Sequence, residues 1–278
     1  MISRELPSLR QLRTFEAVSR LESVSDAARE INLSQPAVTQ AIHAFEERVN
    51  ARLFERRQTG CYVTELGAVL VPRVQRFFEK LRQALADLGT TSSAGRQSID
   101  ATVKRITGPQ LRSLIAISEN PSFDGAARSL QISEPSLHRS ARDFEREVRR
   151  SLYRRSAHGM TTTPYGGELA RRCQVALQEI SYGMEELEAA RGNIVSRIAI
   201  GNIPHSATQV LSNAVRELLS KYPTARVQFL PFTSRHLRRF DGIATRTDWQ
   251  PTSIHLRFVD LLRAQASRLS KNSRPRAA

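Results

Sequence analysis

Long apolar runs are absent from this sequence, and none approaches the roughly 20 residues that a membrane-spanning helix needs. The first residues, Met1 to Leu6, lack the apolar centre of a secretion signal. The two cysteines, Cys61 and Cys173, are isolated and fit neither a metal-ligand motif nor a disulfide framework. These absences predict a soluble cytoplasmic protein with no membrane contact, no bound metal and no cofactor.

Motifs for catalysis are also lacking. The six histidines are scattered along the chain. Gly166-Gly167 lacks the further residues of a Walker-type phosphate loop and is typical of a helix start. We therefore expect no enzymatic activity and no catalytic residues.

Acidic residues are too few to balance the basic ones. The 278 residues include 42 Lys and Arg against 27 Asp and Glu, giving a net charge of +15 and a pI near 11.0. Such an excess favours a polyanionic partner. Hydrophobic residues make up 40%, enough for packed cores, and the length suits about two domains.

One segment of the chain occurs twice. Gln11–Gly67 recurs without a gap as Gln110–Gly166, an offset of 99 residues (110 − 11). The paired identities include Ala27-Ala28-Arg29 with Ala126-Ala127-Arg128, Ser34 with Ser133, Pro36 with Pro135, Phe45-Glu46 with Phe144-Glu145, and Gly60 with Gly159. Two copies are too few for a solenoid, so the chain is predicted to carry one small domain twice.

The first copy has the pattern of a winged helix-turn-helix domain. A short helix after Ser25 and a second one beginning near Ser34, with Pro36 in its first turn, are joined by a tight turn. The basic stretch Glu55–Val63, with Gly60 at its centre, predicts a hairpin. In such domains the second helix enters the major groove, so double-stranded DNA is the expected partner.

Candidate DNA contacts follow from this geometry. Short polar and amide side chains on the second helix suit base edges, and small apolar ones suit thymine methyl groups. The candidates on this helix are Ser34, Gln35, Pro36, Ala37, Val38, Thr39, Gln40 and His43. On the wing, Arg56 and Arg57 suit phosphates or a narrow minor groove.

These residues resemble a known family. Ala27-Ala28, Ser34 to Thr39, Phe45-Glu46, Leu53 to Arg56 and Thr64 to Gly67 look like the N-terminal domain of LysR-type transcriptional regulators. The likeness resumes weakly in the second copy, and Ile198 to Leu230 resembles the opening of that family's effector-binding domain. The resemblance implies a sequence-specific regulator on promoter DNA, with RNA polymerase as a further partner and a long helix that dimerises.

The long helix after the first wing carries an apolar stripe. Its residues alternate steps of four and three, the coiled-coil period. A homodimer or higher oligomer is expected through Leu70, Val74, Phe77, Leu81 and Leu88. Packing of the stripe against its own domain is the alternative.

The second copy departs from the first at its recognition helix, where Glu134 replaces Gln35. A carboxylate can accept from cytosine but repels phosphates. The candidate contacts here are Ser133, Ser136, His138, Arg139, Arg142, Arg154 and Arg155. Two interpretations stay open: this copy binds DNA, or it is a degenerate copy retained for dimerisation.

The predicted fold is mainly α, with two winged helix-turn-helix domains, each followed by a long helix, and an incomplete α/β (βαβ) effector fragment. The predicted segments are domain 1 at 7–64, a dimerisation helix at 65–88, a flexible linker at 89–105, domain 2 at 106–163, a second long helix at 164–192, a truncated effector-domain start at 193–232 and a basic irregular tail at 233–278.

The last segment holds ten Lys and Arg against three Asp and Glu. It resembles a shifted reading frame or a truncation, with a divergent basic tail as the alternative. Since one βαβ unit cannot form a two-lobed pocket, we expect small-molecule sensing to be impaired or absent. Two other functions stay open: interference with a full-length regulator by heterodimerisation, and non-specific binding of nucleic acid.

Overall fold

The computed structural model describes residues 7–86, 95–156, 159–193, 197–202, 208–231, 243, 245 and 249–272. As predicted, the protein is mainly helical, with a few short strands. The chain divides into two compact units, residues 1–184 and 185–278. Within the described ranges, the helices are all too short or too polar to cross a membrane.

The first copy contains three helices, a hairpin and a long helix. These are α1 (Leu9–Leu21), α2 (Val24–Glu30), α3 (Gln35–Val49), the antiparallel strands β1 (Phe54–Arg57) and β2 (Gly60–Val63), and α4 (Glu65–Ala86). The first three helices begin at serines whose hydroxyls accept a backbone N–H of the first turn, which is why they start there. In the core, the rings of Phe15 and Phe45 meet edge to face at 5.6 Å.

The second copy repeats this order of elements. It comprises α5 (Gly95–Arg105), α6 (Gly108–Glu119), α7 (Phe123–Leu130), α8 (Glu134–Val148), the antiparallel strands β3 (Tyr153–Ser156) and β4 (Gly159–Thr162), and α9 (Pro164–Ala190), with α5 as an additional leading helix. Thr107, Ser122 and Ser133 cap α6, α7 and α8 in the same manner.

The flexible linker predicted at 89–105 is wrong for residues 95–105, which form α5. Val103 and Ile106 at its end are buried, and Arg13 of α1 donates hydrogen bonds to both of their carbonyl oxygens, at 2.7 Å to Val103. Cations suit the free carbonyls of a helix C-terminus, so α1 holds the end of α5. Burial lowers the pKa of Arg13. Residues 89–94 lie outside the described ranges.

The apolar stripe of α4 is covered within the single chain. Leu70, Val74, Phe77 and Leu81 are at most 1% exposed, and α1, α5 and α9 all contact α4. In this chain the four residues already pack against helices of the same chain, and a homodimer or higher oligomer through them stays a prediction. The duplication supplies a covering helix in the same chain, which periodicity could not reveal. Leu88 lies outside the described residues.

The second unit is built on a parallel βαβ arrangement. It contains β5 (Arg197–Asn202), α10 (Thr208–Lys221), β6 (Arg226–Pro231) and α11 (Ser253–Asn272), with β5 and β6 paired in parallel. The basic irregular tail predicted at 233–278 is wrong for residues 253–272. Ile254 and Phe258 of α11 enter one core with Ile198, Ala214 and Leu218, because apolar residues recur at helical spacing along α11. Residues 232–242 lie outside the described ranges.

Candidate nucleic-acid interface

The first turn of α3 lies on the surface of the first copy. Ser34, Gln35 and Pro36 are exposed, as is Gln40 one turn later. The hydroxyl of Ser34 accepts the backbone N–H of Ala37 at 3.3 Å, which satisfies a donor that has no partner within the helix. This end of α3 therefore presents amide side chains on a fixed backbone.

The remaining candidates on α3 differ in exposure. Ala37 and Thr39 are half-buried, and His43 is exposed with its Nδ1 3.5 Å from Glu46 Oε2. Val38 is 0% exposed, so its predicted contact with DNA is wrong. The helical period puts Val38 on the same inward face as Ile42 and Phe45.

The wing formed by β1 and β2 projects two arginines. Arg56 and Arg57 are both exposed. Arg56 Nη2 donates a hydrogen bond to Thr39 Oγ1 at 3.1 Å, which joins the wing to α3. Arg57 bonds to Glu55 at 3.1 Å and lies 5.5 Å from the ring centre of Tyr62. The wing and the first half of α3 thus form one polar, basic surface.

A half-buried carboxylate fixes the start of the wing. Glu46 Oε1 accepts the backbone N–H groups of Leu53 at 2.8 Å and Phe54 at 3.1 Å. The second copy repeats this contact with Glu145, Leu152 and Tyr153 at the same distances. Sequence reasoning missed this positioning role, although the identity of Glu46 and Glu145 in the repeat was the available signal.

The far end of the wing contacts the junction of α1 and α2. The backbone N–H of Cys61 donates to the carbonyl oxygen of Glu22 at 2.7 Å. A side chain at Gly60 would bring its Cβ to 2.7 Å from the same oxygen, closer than real Cβ contacts allow. Gly60 therefore permits this approach, which holds the hairpin against the domain.

The second copy presents a more basic version of this surface. Ser133, Glu134, Ser136, Arg139 and Arg142 of α8 and its cap are all exposed. On β3, Arg154 and Arg155 are exposed as well. Ser133 Oγ lies 2.9 Å from Ser136 Oγ, so the two hydroxyls share a hydrogen bond.

His138 is the exception among the candidates of the second copy. It occupies the position of Thr39 in the repeat, and its half-buried ring lies 4.2 Å from that of Phe123, centre to centre. One face of the imidazole is thus engaged within the domain. In the first copy the hydroxyl of Thr39 accepts a hydrogen bond from Arg56. The second copy has no hydroxyl at this position.

The described residues also include metal-ligating and thiol side chains. In the part of the chain that the structure describes, no three His, Cys, Asp or Glu side chains are grouped to hold a metal ion. Cys61 and Cys173 are buried free thiols, and burial raises the pKa of both, in the case of Cys173 to about 12.

Comparison with known proteins finds one kind of domain in both copies. The family model described as "Bacterial regulatory helix-turn-helix protein, lysR family" matches the chain at residues 9–68 and again at 109–167. The HTH-type transcriptional regulator GalR of Pseudomonas putida is 28% identical over 227 residues, covering 82% of this chain and 55% of GalR. The HTH-type transcriptional regulator TrpI of Pseudomonas aeruginosa is 38% identical over 87 residues, 31% of this chain and 30% of TrpI.

The chain therefore spans about half or less of the length of these relatives. Among solved structures, full-length CbnR complexed with its target DNA is 26% identical, covering 45% of this chain and 43% of CbnR, at a TM-score of 0.27. A TM-score this low supports no conclusion about the structure of this chain. Residues 9–68 and 109–167 are thus each similar to the helix-turn-helix domain of the lysR family, and the relatives that the chain matches are HTH-type transcriptional regulators.

Proposed function

We propose that this protein is a sequence-specific transcriptional regulator that binds duplex promoter DNA through α3 and the β1–β2 wing. The observation that carries the proposal is the hydrogen bond from Arg56 to Thr39, because it holds wing and helix as one surface. Relatives named as transcriptional regulators support it. A major groove is wide enough to admit α3.

Each exposed or half-buried candidate of this surface has a proposed role. Gln35 and Gln40 suit adenine, to which an amide can bond twice, and the methyl of Ala37 suits a thymine methyl. Thr39 accepts a hydrogen bond from Arg56, which leaves its own O–H to donate to DNA. The remaining contacts, proposed to be with phosphates or the minor groove, are those of Ser34, Pro36, His43, Arg56 and Arg57.

We extend the proposal to the second copy, as a second winged helix-turn-helix domain at about residues 106–163. Its exposed cations, Arg139, Arg142, Arg154 and Arg155, offset the carboxylate of Glu134 near a phosphate backbone. Glu134 suits a cytosine N4 amino group, so this copy is proposed to prefer a different sequence from the first. Ser133, Ser136 and the free edge of His138 complete the proposed surface.

Selection of bound sites from a random duplex library tests the proposal, followed by footprinting of the selected operator at about 200 mM salt, where charge-driven binding is weak. Gln35→Ala is expected to reduce specific affinity by about 1–3 kcal/mol and to relax preference at one base pair. Gln83→Ala, an exposed glutamine of α4, is the matched control. An unchanged footprint and affinity for Gln35→Ala would count against the assignment.

A second variant separates specific binding from attraction to a basic surface. Arg263 and Arg268 of α11 are exposed. The double change to glutamine is expected to leave the selected operator unchanged. Loss of the preference in this variant would favour the charge-driven alternative. Impaired small-molecule sensing and contact with RNA polymerase stay predictions from the sequence.

A further inference from the structure

The two long helices meet around one buried carboxylate. Arg73 Nη1 of α4 lies 3.0 Å from Glu179 Oε2 of α9, and both side chains are at most 4% exposed. Arg76 Nε reaches the same oxygen at 3.2 Å, and Lys80 Nζ lies 3.3 Å from Glu179 Oε1. Glu179 therefore pairs with three cations of α4, and its contact with Arg73 lies in an environment that excludes water, where such pairing matters most.

The contact runs antiparallel and is close. One helical turn beyond Glu179 along α9, a Cβ built on Gly183 would lie 3.1 Å from Arg73 Cβ and 3.3 Å from Leu70 Cδ2. Advancing along α9 thus moves back along α4, from Lys80 toward Leu70. Gly183 lets the two backbones approach where a larger residue would force them apart.

The charges of α4 fit α9 better than they fit a second α4. With the offset of 99 between the copies, the counterpart of Glu179 is Lys80 (179 − 99). An α4 paired with the α4 of another chain in the same register would place Arg73 opposite Lys80 twice, with like charges facing each other in a buried contact. Such an arrangement costs free energy that the pairing with Glu179 avoids.

We infer that α4 and α9 form a clamp within one chain, selected by Glu179, which holds the two DNA-reading domains of that chain as one unit. The pairing is unimolecular, so it does not weaken on dilution as a dimer would. That the clamp presents the domains to DNA rests on the proposed function. Because Glu134 and His138 replace Gln35 and Thr39, the operator is expected to contain two unlike half-sites, in contrast to the palindrome of a symmetric dimer.

A disulfide between the helices tests the clamp directly in the full chain. Arg73→Cys with Gly183→Cys brings two Cβ atoms within the range that a disulfide spans, after an adjustment of a few tenths of an ångström. Oxidation is expected to produce a monomer of altered mobility on a non-reducing gel, and neither single variant should do so. Disulfide-linked dimers, or reduced monomers only, would overturn the clamp.

The wild-type chain supplies the second measurement and needs no substitution that risks misfolding. Footprinting of a selected operator should show two protected half-sites of different sequence. Two half-sites of the same sequence would overturn the inference that the clamp presents both domains of one chain to one operator.

The two measurements separate failure of the clamp from failure of the proposed function. An intrachain disulfide in a chain without sequence preference contradicts the DNA-binding proposal and leaves the clamp intact. Specific binding by chains that crosslink only to each other contradicts the clamp and leaves the DNA-binding proposal intact.

Discussion

Arg56 on the wing donates a hydrogen bond to Thr39 on α3, with 3.1 Å between Nη2 and Oγ1. The bond joins residues 17 positions apart, so it ties the hairpin directly to the helix proposed to read DNA. In the second copy the helix position is His138, whose ring contacts Phe123 instead. The two proposed reading surfaces therefore differ in how the wing is held.

Removing the Arg56 side chain should change the salt dependence of DNA binding. If Arg56 neutralises one phosphate, Arg56→Ala lowers the slope of log affinity against log salt by about 0.9, because one fewer counterion is released. The slope is measured by titrations between about 50 and 200 mM salt. Arg82→Ala, an exposed arginine of α4, serves as control, and an equal change in both variants would refute the contact.

Glu46 should stabilise the first copy through the two hydrogen bonds that it accepts from backbone N–H groups. Glu46→Ala leaves the N–H groups of Leu53 and Phe54 without their charged acceptor, at a cost of about 1.5–3 kcal/mol per hydrogen bond to a charged group. Urea unfolding measures the loss, and faster hydrogen exchange at these two amides locates it. Glu47→Ala, an exposed neighbour, should alter neither; protected amides in Glu46→Ala would contradict the role.

Two adjacent glycines should respond in opposite ways to alanine. A Cβ on Gly166 would overlap the carbonyl oxygen of Leu152, whereas one on Gly167 meets only Thr162 Oγ1 at 3.7 Å. Gly166→Ala is therefore expected to destabilise by about 1–3 kcal/mol through overpacking. Gly167→Ala should be neutral or stabilise by up to about 1 kcal/mol, since alanine favours helix. Thermal unfolding compares them, and equal melting temperatures would contradict this packing.

The carboxylate that joins α4 to α9 should matter far more than an exposed one. Glu179→Gln leaves Arg73 buried beside a neutral amide, and breaking a buried ion pair in this way costs about 3–5 kcal/mol. Glu79→Gln, an exposed glutamate of α4, is expected to change stability by less than about 0.5 kcal/mol. Guanidinium unfolding of both variants is the measurement, and similar losses would show that Glu179 contributes no more than a surface charge.

The buried thiol of Cys173 should not react with a disulfide reagent until the protein unfolds. Its pKa of about 12 keeps it protonated at pH 8, and only the thiolate attacks a disulfide reagent. Because the native thiol holds its proton more tightly than an unfolded one of pKa near 9.0, the stability that Cys173 contributes should fall as pH rises above about 9 and be fully present below it. Labelling of Cys173 at pH 8 in the native protein would contradict its burial.

Local patterns were sufficient for part of this structure. The 99-residue repeat, the capping serines and the glycine between β-prone runs predicted the helices and hairpins of both copies apart from α5, because each depends on residues close in sequence. The same reasoning placed Gln35 and Arg56 on the surface. It placed Val38 outside as well, although the helical period of its neighbours already assigned it to the core.

Which elements pack against each other was decided only by the tertiary structure. An apolar stripe indicates that one face of a helix is buried. It does not indicate whether that face packs against a second molecule or against a distant part of the same chain. That α9 covers α4, that α11 completes the core of the βαβ unit, and that Arg13 holds the end of α5 all depend on long-range contacts. Periodicity along the sequence carries no information about these, because burial of apolar surface is non-directional and does not specify its partner.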